Sequence, residues 1–424
     1  MMRGSGRVFA VVLGLLLGMQ AQAASGFHGE FDLGASYMNN GANSLAAALG
    51  ERRYADQDSW LRLMWSGPLA SGWGLDIAYL ATARHGGGVV LTRREYTSDP
   101  ALYIDPQRTT LLRLNDTVTD EGQLAIAQRL DRLALTYSGS HLVLRLGRQA
   151  LTWGGGLVFH PMDLFNPFPP NATYTTYKPG ADMLYGQWLF NSGADLQMVA
   201  VPRRDPTTGH IEPNQGSAGI KWHGSLGLDQ GLGIDLLAAQ DYGSQVLGIR
   251  ISGAWAGASW TAELVPTQLA IGGVRTSVLA NAQYAWVLGA KDINGYLEYF
   301  HNGFGVTGTD HTLADLPTAL VERLARGEVF TVSRDYLAVG AGIQWTPLLI
   351  LKPSVIANLD DGSVLVIGQA VYSLTQNTDM TAGIQRGFGG HHTEYGGGLE
   401  TAPNSGVFVA PATSIYARLM WYFQ

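Results

Sequence analysis

An all-β fold, a transmembrane antiparallel up-and-down β-barrel of about 18 strands, is predicted by three observations. The stretch Thr413 to Phe423 alternates strictly: Ile415, Ala417, Leu419, Trp421 and Phe423 share an apolar face, and Tyr416, Arg418, Met420 and Tyr422 share the other. The chain of 424 residues is 46% hydrophobic and only 14% charged, against about 25% charged in soluble domains. Segments of about 10 residues with the same period-two alternation recur along the chain, and the connections between them tend to run long, then short. An even strand count follows from both ends lying on the short-turn side, with sixteen as the runner-up.

The apolar excess does not fit a helical membrane protein, which needs runs of about 20 apolar residues. Val8–Leu17 is the one run worth testing, and it is too short. It reads instead as the h-region of a secretory signal, with Arg3 and Arg7 before it and the cleavage pattern Ala21-Gln22-Ala23 after it. Residues 1–23 are therefore expected to be a signal peptide, cleaved near Ala23 after Sec-type export, and 24–424 the barrel. Cysteine is absent, which removes disulfides, thiolate metal sites and C-x-x-C-H haem attachment. The formal charge is −7, and losing Arg3 and Arg7 with the signal takes it to −9. That balance argues against nucleic acid as a partner.

The strand candidates, in order, are Phe27–Met38, Ser59–Trp65, Trp73–Arg84, Ala127–Tyr137, His141–Arg148, Leu184–Phe190 and Ala194–Arg203. They continue with Ala218–His223, Leu232–Asp241, Gln245–Ile251, Ser259–Val265, Ser277–Leu288 and Ile293–His301. Tyr336–Thr346, Leu351–Asn358, Val364–Leu374, Met380–Arg386 and Phe408–Phe423 complete the set. The long connections are 39–58, 85–126, 149–183, 204–217, 302–335 and 387–407. Within the fifth, Leu313, Leu316, Leu320, Val321 and Leu324 recur at helical spacing, which predicts a helix packed on the rim rather than lining the pore.

Leu142 to Leu189 is the densest unusual segment. A strand ending in Arg145 and Arg148 leads to Trp153, Gly154–Gly156, Phe159, His160, Pro161, Asp163 and Phe165-Asn166-Pro167. Prolines deny this stretch a sheet ladder and glycines permit positive φ, yet it is rich in Phe and Leu. Such a loop should be buried, and in so wide a barrel the lumen is the place. Trp153, Phe159 and Asn166 are the candidate lumen-loop residues. Arg62, Arg84, Arg132, Arg145, Arg148 and Asp163 are the candidate constriction residues, where a few charges set selectivity. Arg250 shares the expected inward face with these arginines, and Asp76, Asp131, Glu263 and Glu298 stand ready to offset them. For Arg145, Arg148 and Asp163, an ion pair pinning the loop to the wall is the competing role.

The pattern Gly147-Arg148-Gln149, Trp153-Gly154, Pro161, Asp163 and Phe165-Asn166-Pro167 resembles that of porin-like barrels of the alginate-export type and related outer-membrane families. The resemblance covers about 25 residues plus the barrel layout. It implies a monomeric channel with a loop folded into the pore. The Arg-rich lumen and polyanion of the alginate exporters do not carry over, because acidic residues share the inward face here. The terminal strand departs from the usual insertion signal: Phe423 is penultimate, and Arg418 stands where a glycine is common.

Enzyme signals are poor, with neither G-x-S-x-G nor H-E-x-x-H present. Gly303-Phe304-Gly305-Val306-Thr307-Gly308 matches G-x-G-x-x-G without a βαβ context and reads as a loop. His391 and His392 with Glu394 are a weak metal candidate, since a stable site needs three or four converging ligands. The expected function is an outer-membrane channel for passive passage of small or polymeric hydrophilic solutes, needing no cofactor. Its expected partners are outer-membrane lipid and the assembly machinery. A plug domain before the first strand is not seen, so energy-driven uptake is not expected. A barrel scaffold or adaptor for a secretion or electron-transfer partner is the alternative, and an outer-membrane enzyme the third reading.

Overall fold

The computed structural model describes residues 26–98, 106–172, 176–227, 231–309 and 311–424. The expected signal, residues 1–23, lies outside the described residues. The chain forms β1 (Phe27–Asn39), β2 (Arg53–Ala70), β3 (Trp73–Gly86), β4 (Asn115–Glu121), β5 (Leu124–Ser138), β6 (Leu142–Gln149), β7 (Ala181–Leu189) and β8 (Asp195–Val201). It continues with β9 (Ser217–Leu226), β10 (Leu232–Asp241), β11 (Ser244–Trp255), β12 (Ala258–Gln268), β13 (Val274–Leu288) and β14 (Lys291–His301). Then come β15 (Asp335–Thr346), β16 (Leu349–Asn358), β17 (Val364–Thr375), β18 (Thr378–Phe388), β19 (Leu399–Glu400), β20 (Phe408–Val409) and β21 (Thr413–Phe423). All but β4, β19 and β20 form a closed, antiparallel, 18-stranded barrel in which each strand pairs with its neighbours along the chain.

Closure is made by β1 and β21, in register from Gly29↔Phe423 to Asn39↔Thr413. The alternation of the sequence becomes the two faces of the wall. Phe31, Leu33, Leu419 and Trp421 point outward and are exposed, whereas Asp32 between them points inward and is fully buried. Full closure leaves no strand edge unpaired, the only sheet arrangement that satisfies every backbone group in hydrocarbon. No helix among the described residues is long and apolar enough to cross a membrane.

Each of the eighteen expected strands overlaps one barrel strand, and three details differ from expectation. β2 runs from Arg53 rather than Ser59. Its first residues, Tyr54 to Asp58, project above the apolar band, so both faces are polar and alternation fades. The final segment splits at Ala410-Pro411-Ala412 into β20 and β21, because proline offers no N–H to a ladder. The short strand β4 was not expected; it pairs along the upper part of β5 and carries almost no apolar residue.

One end of the barrel has tight turns. Ala256-Gly257 and Gly289-Ala290 have φ of 50°, 84°, 58° and 59°, the left-handed pairs of two-residue hairpins whose twist matches the strands. Trp73, Trp188, Trp255, Trp286, Trp345 and Trp421 are exposed beside these short turns, an aromatic belt of the kind that marks a membrane interface. The opposite end carries the long connections. There Tyr242-Gly243, also at positive φ, is a tight exception between β10 and β11.

The helical spacing at 313–324 resolves into a 3₁₀ turn (Leu313–Asp315) and an α-helix (Thr318–Arg326), separated by Pro317. The helix ends on Gly327 at φ 68°. Its apolar stripe buries Leu316 and Leu320 against Leu399 of β19, so it packs among the long loops, as its amphipathic pattern predicts.

Arg418, standing where a glycine is common, holds the closing seam. Its guanidinium bonds Asp32 of β1 at 2.5 Å and also Asp58 of β2. Removing one partner of a buried pair strands the other charge, at a cost of about 3–5 kcal/mol. Arg418→Leu should therefore lower the unfolding free energy of the refolded barrel, read by urea titration, by about 3 kcal/mol, and adding Asp32→Asn should recover part of it. An unchanged free energy would mean the seam does not depend on this pair.

Candidate functional site

The lumen is where the charged residues and the long connection between β6 and β7 meet. That connection folds inward and packs across the barrel. Trp153, Met162 and Phe165 are buried against Met183, Val199, Val201, Leu237, Val246 and Val265 on one side. Val158 and Phe159 are buried against Leu279, Phe300, Tyr336 and Ala338 on the other. Phe159 stacks on Phe300 with ring centroids 4.7 Å apart, and Trp153 meets Phe165 edge-on at 5.2 Å. The Phe and Leu content that a solvent loop would avoid is thus used as a second core.

A buried loop without a ladder must find other partners for its backbone. The far wall supplies carboxylates. Glu298 of β14 accepts from the amides of Leu157, Val158 and Phe159 at 2.6, 2.9 and 2.8 Å, and from the Asn281 amide group at 3.0 Å. Glu263 of β12 accepts from Gly155 N–H, and Asn281 of β13 donates to Gly155 C=O at 2.9 Å. The glycines make this turn possible. Gly154 has φ 104°, and a β-carbon on Gly156 would lie 1.7 Å from the Phe159 carbonyl oxygen. Trp153 completes its own bonding through Nε1 to Gln197 at 2.8 Å.

The returning limb crosses to the opposite wall. Lys178 bonds Asp163 at 2.5 Å, joining the two limbs of the loop. Asn166, at φ 53°, donates to the Pro179 carbonyl at 3.3 Å. Tyr177 donates to Glu30 of β1 at 2.6 Å, and the Arg62 guanidinium lies 4.3 Å from the centre of its ring. Burial pushes the Asp163 carboxyl up and the Lys178 ammonium down, each partly restored by the other's charge. His160 beside them is held at about 4 by burial and by the Lys178 charge, so it stays neutral across the physiological range.

The candidate arginines separate into different environments. Arg62, Arg129 and Arg132 converge on one buried carboxylate, Asp131, at 2.7, 3.2 and 2.6 Å. Arg84 is half exposed and lies 3.6 Å from Asp56. Arg145 is exposed on the lumen-side register of β6, opposite Tyr185. Arg148 and Asp163 do not meet. Arg148 is buried at the end of β6, where it pairs with Asp182 of β7 at 2.7 Å and donates to the carbonyls of Leu112 and Leu130. It stitches the wall together. A second cluster, of which only Arg250 is marked as inward-facing by the sequence, centres on Asp235: fully buried, it receives Arg250 at 2.7 Å and His223 at 2.5 Å, with Lys221 at 3.7 Å. Lys221, His223 and Asp235 fall on lumen-side positions of neighbouring strands, a register that sequence alone does not supply.

The long loops also bind one another. Glu394 accepts from Tyr336 Oη, from Asn358 at 2.9 Å and from Val332 N–H at 3.0 Å. His392 packs against Phe408 instead, so His391, His392 and Glu394 do not converge. No group of three metal-ligating side chains occurs among the described residues.

No known family model matches the sequence, and no curated protein is detectably similar to it. Solved structures do resemble its fold. OccK5 (OpdH) of Pseudomonas aeruginosa superposes with a TM-score of 0.51 at 9% identity, over 94% of this chain and 97% of that one. A BenF-like porin from Pseudomonas fluorescens Pf-5 gives a TM-score of 0.50 at 9% identity, over 94% and 97%. The likeness is one of fold, a closed porin-type barrel spanning nearly the whole of each chain.

Two outcomes follow. Glu298→Ala removes the acceptor for three loop amides, so the loop should loosen: amide hydrogen exchange at residues 157–159 should speed up, with Glu298→Gln intermediate. Unchanged exchange in both variants would place the anchor elsewhere. Glu394, pushed up to about 7 chiefly by burial, binds a proton more readily folded than unfolded. Its contribution is therefore complete below the unfolded value, near 4.5, and is lost as pH rises through about 7. Thermal stability should fall by on the order of 2 kcal/mol between pH 5 and 8, and Glu394→Gln should flatten that step.

Proposed function

We propose that this protein is an outer-membrane channel through which small hydrophilic solutes pass down their gradient, narrowed by the loop between β6 and β7. The observation that carries the reading is the opposition of the two wall faces: exposed leucine, valine and tryptophan outside, buried carboxylates and guanidiniums inside. An apolar exterior of this kind suits lipid, and a charged interior suits water and polar solutes. In this reading the long loops face outward from the cell, the tight turns face the periplasm, and residues 1–23 serve as the export signal. The similarity to porin-type barrels agrees with this. The resemblance of the Gly147–Pro167 pattern to alginate-export-type barrels bears on the inward loop and names no solute.

The loop and the arginine cluster together define the selectivity of the passage. Three guanidiniums share one carboxylate at Asp131, so the lumen keeps a local excess of positive charge there. Selectivity follows the charges nearest the narrowest point, whatever the net charge of the chain. Anions should therefore be favoured.

Planar-bilayer recording of the refolded protein in a salt gradient tests this directly. Stable conductance steps with an anion-selective reversal potential are expected. Arg129→Gln with Arg132→Gln should move the reversal potential toward cations, and deleting residues 155–175 should raise the single-channel conductance without preventing insertion. A folded, heat-modifiable barrel that stays silent would sink the channel reading and favour a scaffold for a partner.

A further inference from the structure

We propose that a groove on the outer face of the barrel, running from the closing seam to the loop-side end of β2, binds a phosphorylated glycolipid of the membrane leaflet on the long-loop side. The proposal rests on the reading above in which the barrel sits in an outer membrane with its long loops facing out, but not on passage through the lumen.

The groove holds about 760 Å³, and strand register explains it. Ala35 of β1 pairs with Ala417 of β21. The row below them is Leu33 beside Leu419, and the row above is Tyr37 beside Ile415. All four of these large side chains are exposed on the outer face, so the two alanines between them leave a depression. It opens sideways to Met380 of β18, the neighbour of Leu419, and upward along β2 through Gln57 and Ala55 to Arg53. The lower part, at Leu33, Leu419 and Met380, is apolar. The upper part is polar, with Gln57 beside His85 and Gln123 at the rim. From Ser59, the partner of Leu33, to Arg53 the strand runs about 20 Å, long enough to hold a head group and the first carbons of an acyl chain.

Charge decides the occupant. Arg53 is exposed, and its guanidinium donates through Nε to Asn39 at 3.1 Å. Among the described residues no carboxylate pairs with it, so both terminal nitrogens are open to a ligand. Glu51 at the rim is already paired, with Arg94 at 3.4 Å. Asp56 and Arg418 also border the groove but project into the barrel, where Asp56 accepts from Gly88 N–H at 2.8 Å and Arg418 is held by Asp32 and Asp58. A planar guanidinium with free N–H groups suits a phosphate. Gln57, His85 and Gln123 are exposed and carry the donors and acceptors that sugar hydroxyls use. A cation and amides above hydrocarbon complement a lipid whose phosphorylated sugar lies at the water interface and whose acyl chain lies in the membrane. An uncharged lipid would leave Arg53 unanswered, and a free phosphate would not use the apolar part.

The probe is diphosphoryl lipid A, added to the refolded barrel in detergent and read by native mass spectrometry. One retained molecule per barrel is expected, in preference to phosphatidylglycerol. Arg53→Gln should weaken retention about tenfold, the loss of one charge-assisted bond to phosphate, with Arg53→Lys intermediate. Ala35→Trp fills the depression from an exposed position and should weaken retention to a similar degree. Arg275→Gln, at an exposed arginine of β13, should leave it unchanged. Retention that ignores either Arg53→Gln or Ala35→Trp, equal retention of phosphatidylglycerol, or a protein dimer that forms in place of the lipid adduct would overturn the site. If Ala35→Trp prevents folding, Arg53→Gln decides, and unchanged retention overturns the proposal. A barrel silent in bilayers that retains lipid A in this pattern would lose the channel and keep the site. A conducting barrel that retains none would keep the channel and lose the site.

Discussion

Hydrogen-bond satisfaction of the loop inside the barrel is the constraint on which the rest of this structure depends. A segment with no ladder of its own, placed where bulk water does not reach most of its amides, would leave donors unpaired at about 1–3 kcal/mol each. Glu298 meets three of those donors with one carboxylate, and Glu263 meets a fourth. The loop in turn shields both carboxylates. The glycines 154–156 are there because backbone must approach backbone and carboxylate closely, and the phenylalanines because the remaining surface is dry.

The same logic governs the ion pairs. At Asp131 three arginines, and at Asp235 Arg250, His223 and Lys221, share one buried carboxylate, whereas at the seam Asp32 and Asp58 share one cation, Arg418. Sharing removes the penalty of an isolated buried charge and leaves the clusters unbalanced. The basic excess at Asp131 and the acidic excess at the seam lie on the same side of the barrel, β21 to β5. Charge is thus graded across that side of the lumen, while the opposite side, β7 to β17, is filled by the loop's two apolar clusters.

Alternation made the wall legible from the residues. It is a local property, set by which face of each strand meets hydrocarbon, so Trp73 to Arg84 or Ser277 to Leu288 could be read without knowing a neighbour. The inward position of the 149–183 loop was also legible, because its phenylalanines conflict with a solvent-exposed loop. Its anchors were not. Glu298 stands more than a hundred residues from Leu157, and in the sequence it looked only like a counter-charge for arginine. Arg148 and Asp163 share the loop's neighbourhood in sequence, yet register gives Arg148 to Asp182 and the loop's own return gives Asp163 to Lys178. Side chain pairing in a barrel follows register, and register depends on turn geometry and strand ends, which blur in the sequence where both faces turn polar, as at Tyr54–Asp58 and in β4.

The long loops extend the argument beyond the membrane. Ser44 of the first bridges Phe408 of the last, and Thr312 bridges Glu400, while Arg204 ties to Thr109 and Leu111. The Tyr242 ring sits between Arg203 and Arg326 from two other loops. Connections bound to each other in this way move together or not at all, so the mouth of the barrel behaves as one roof.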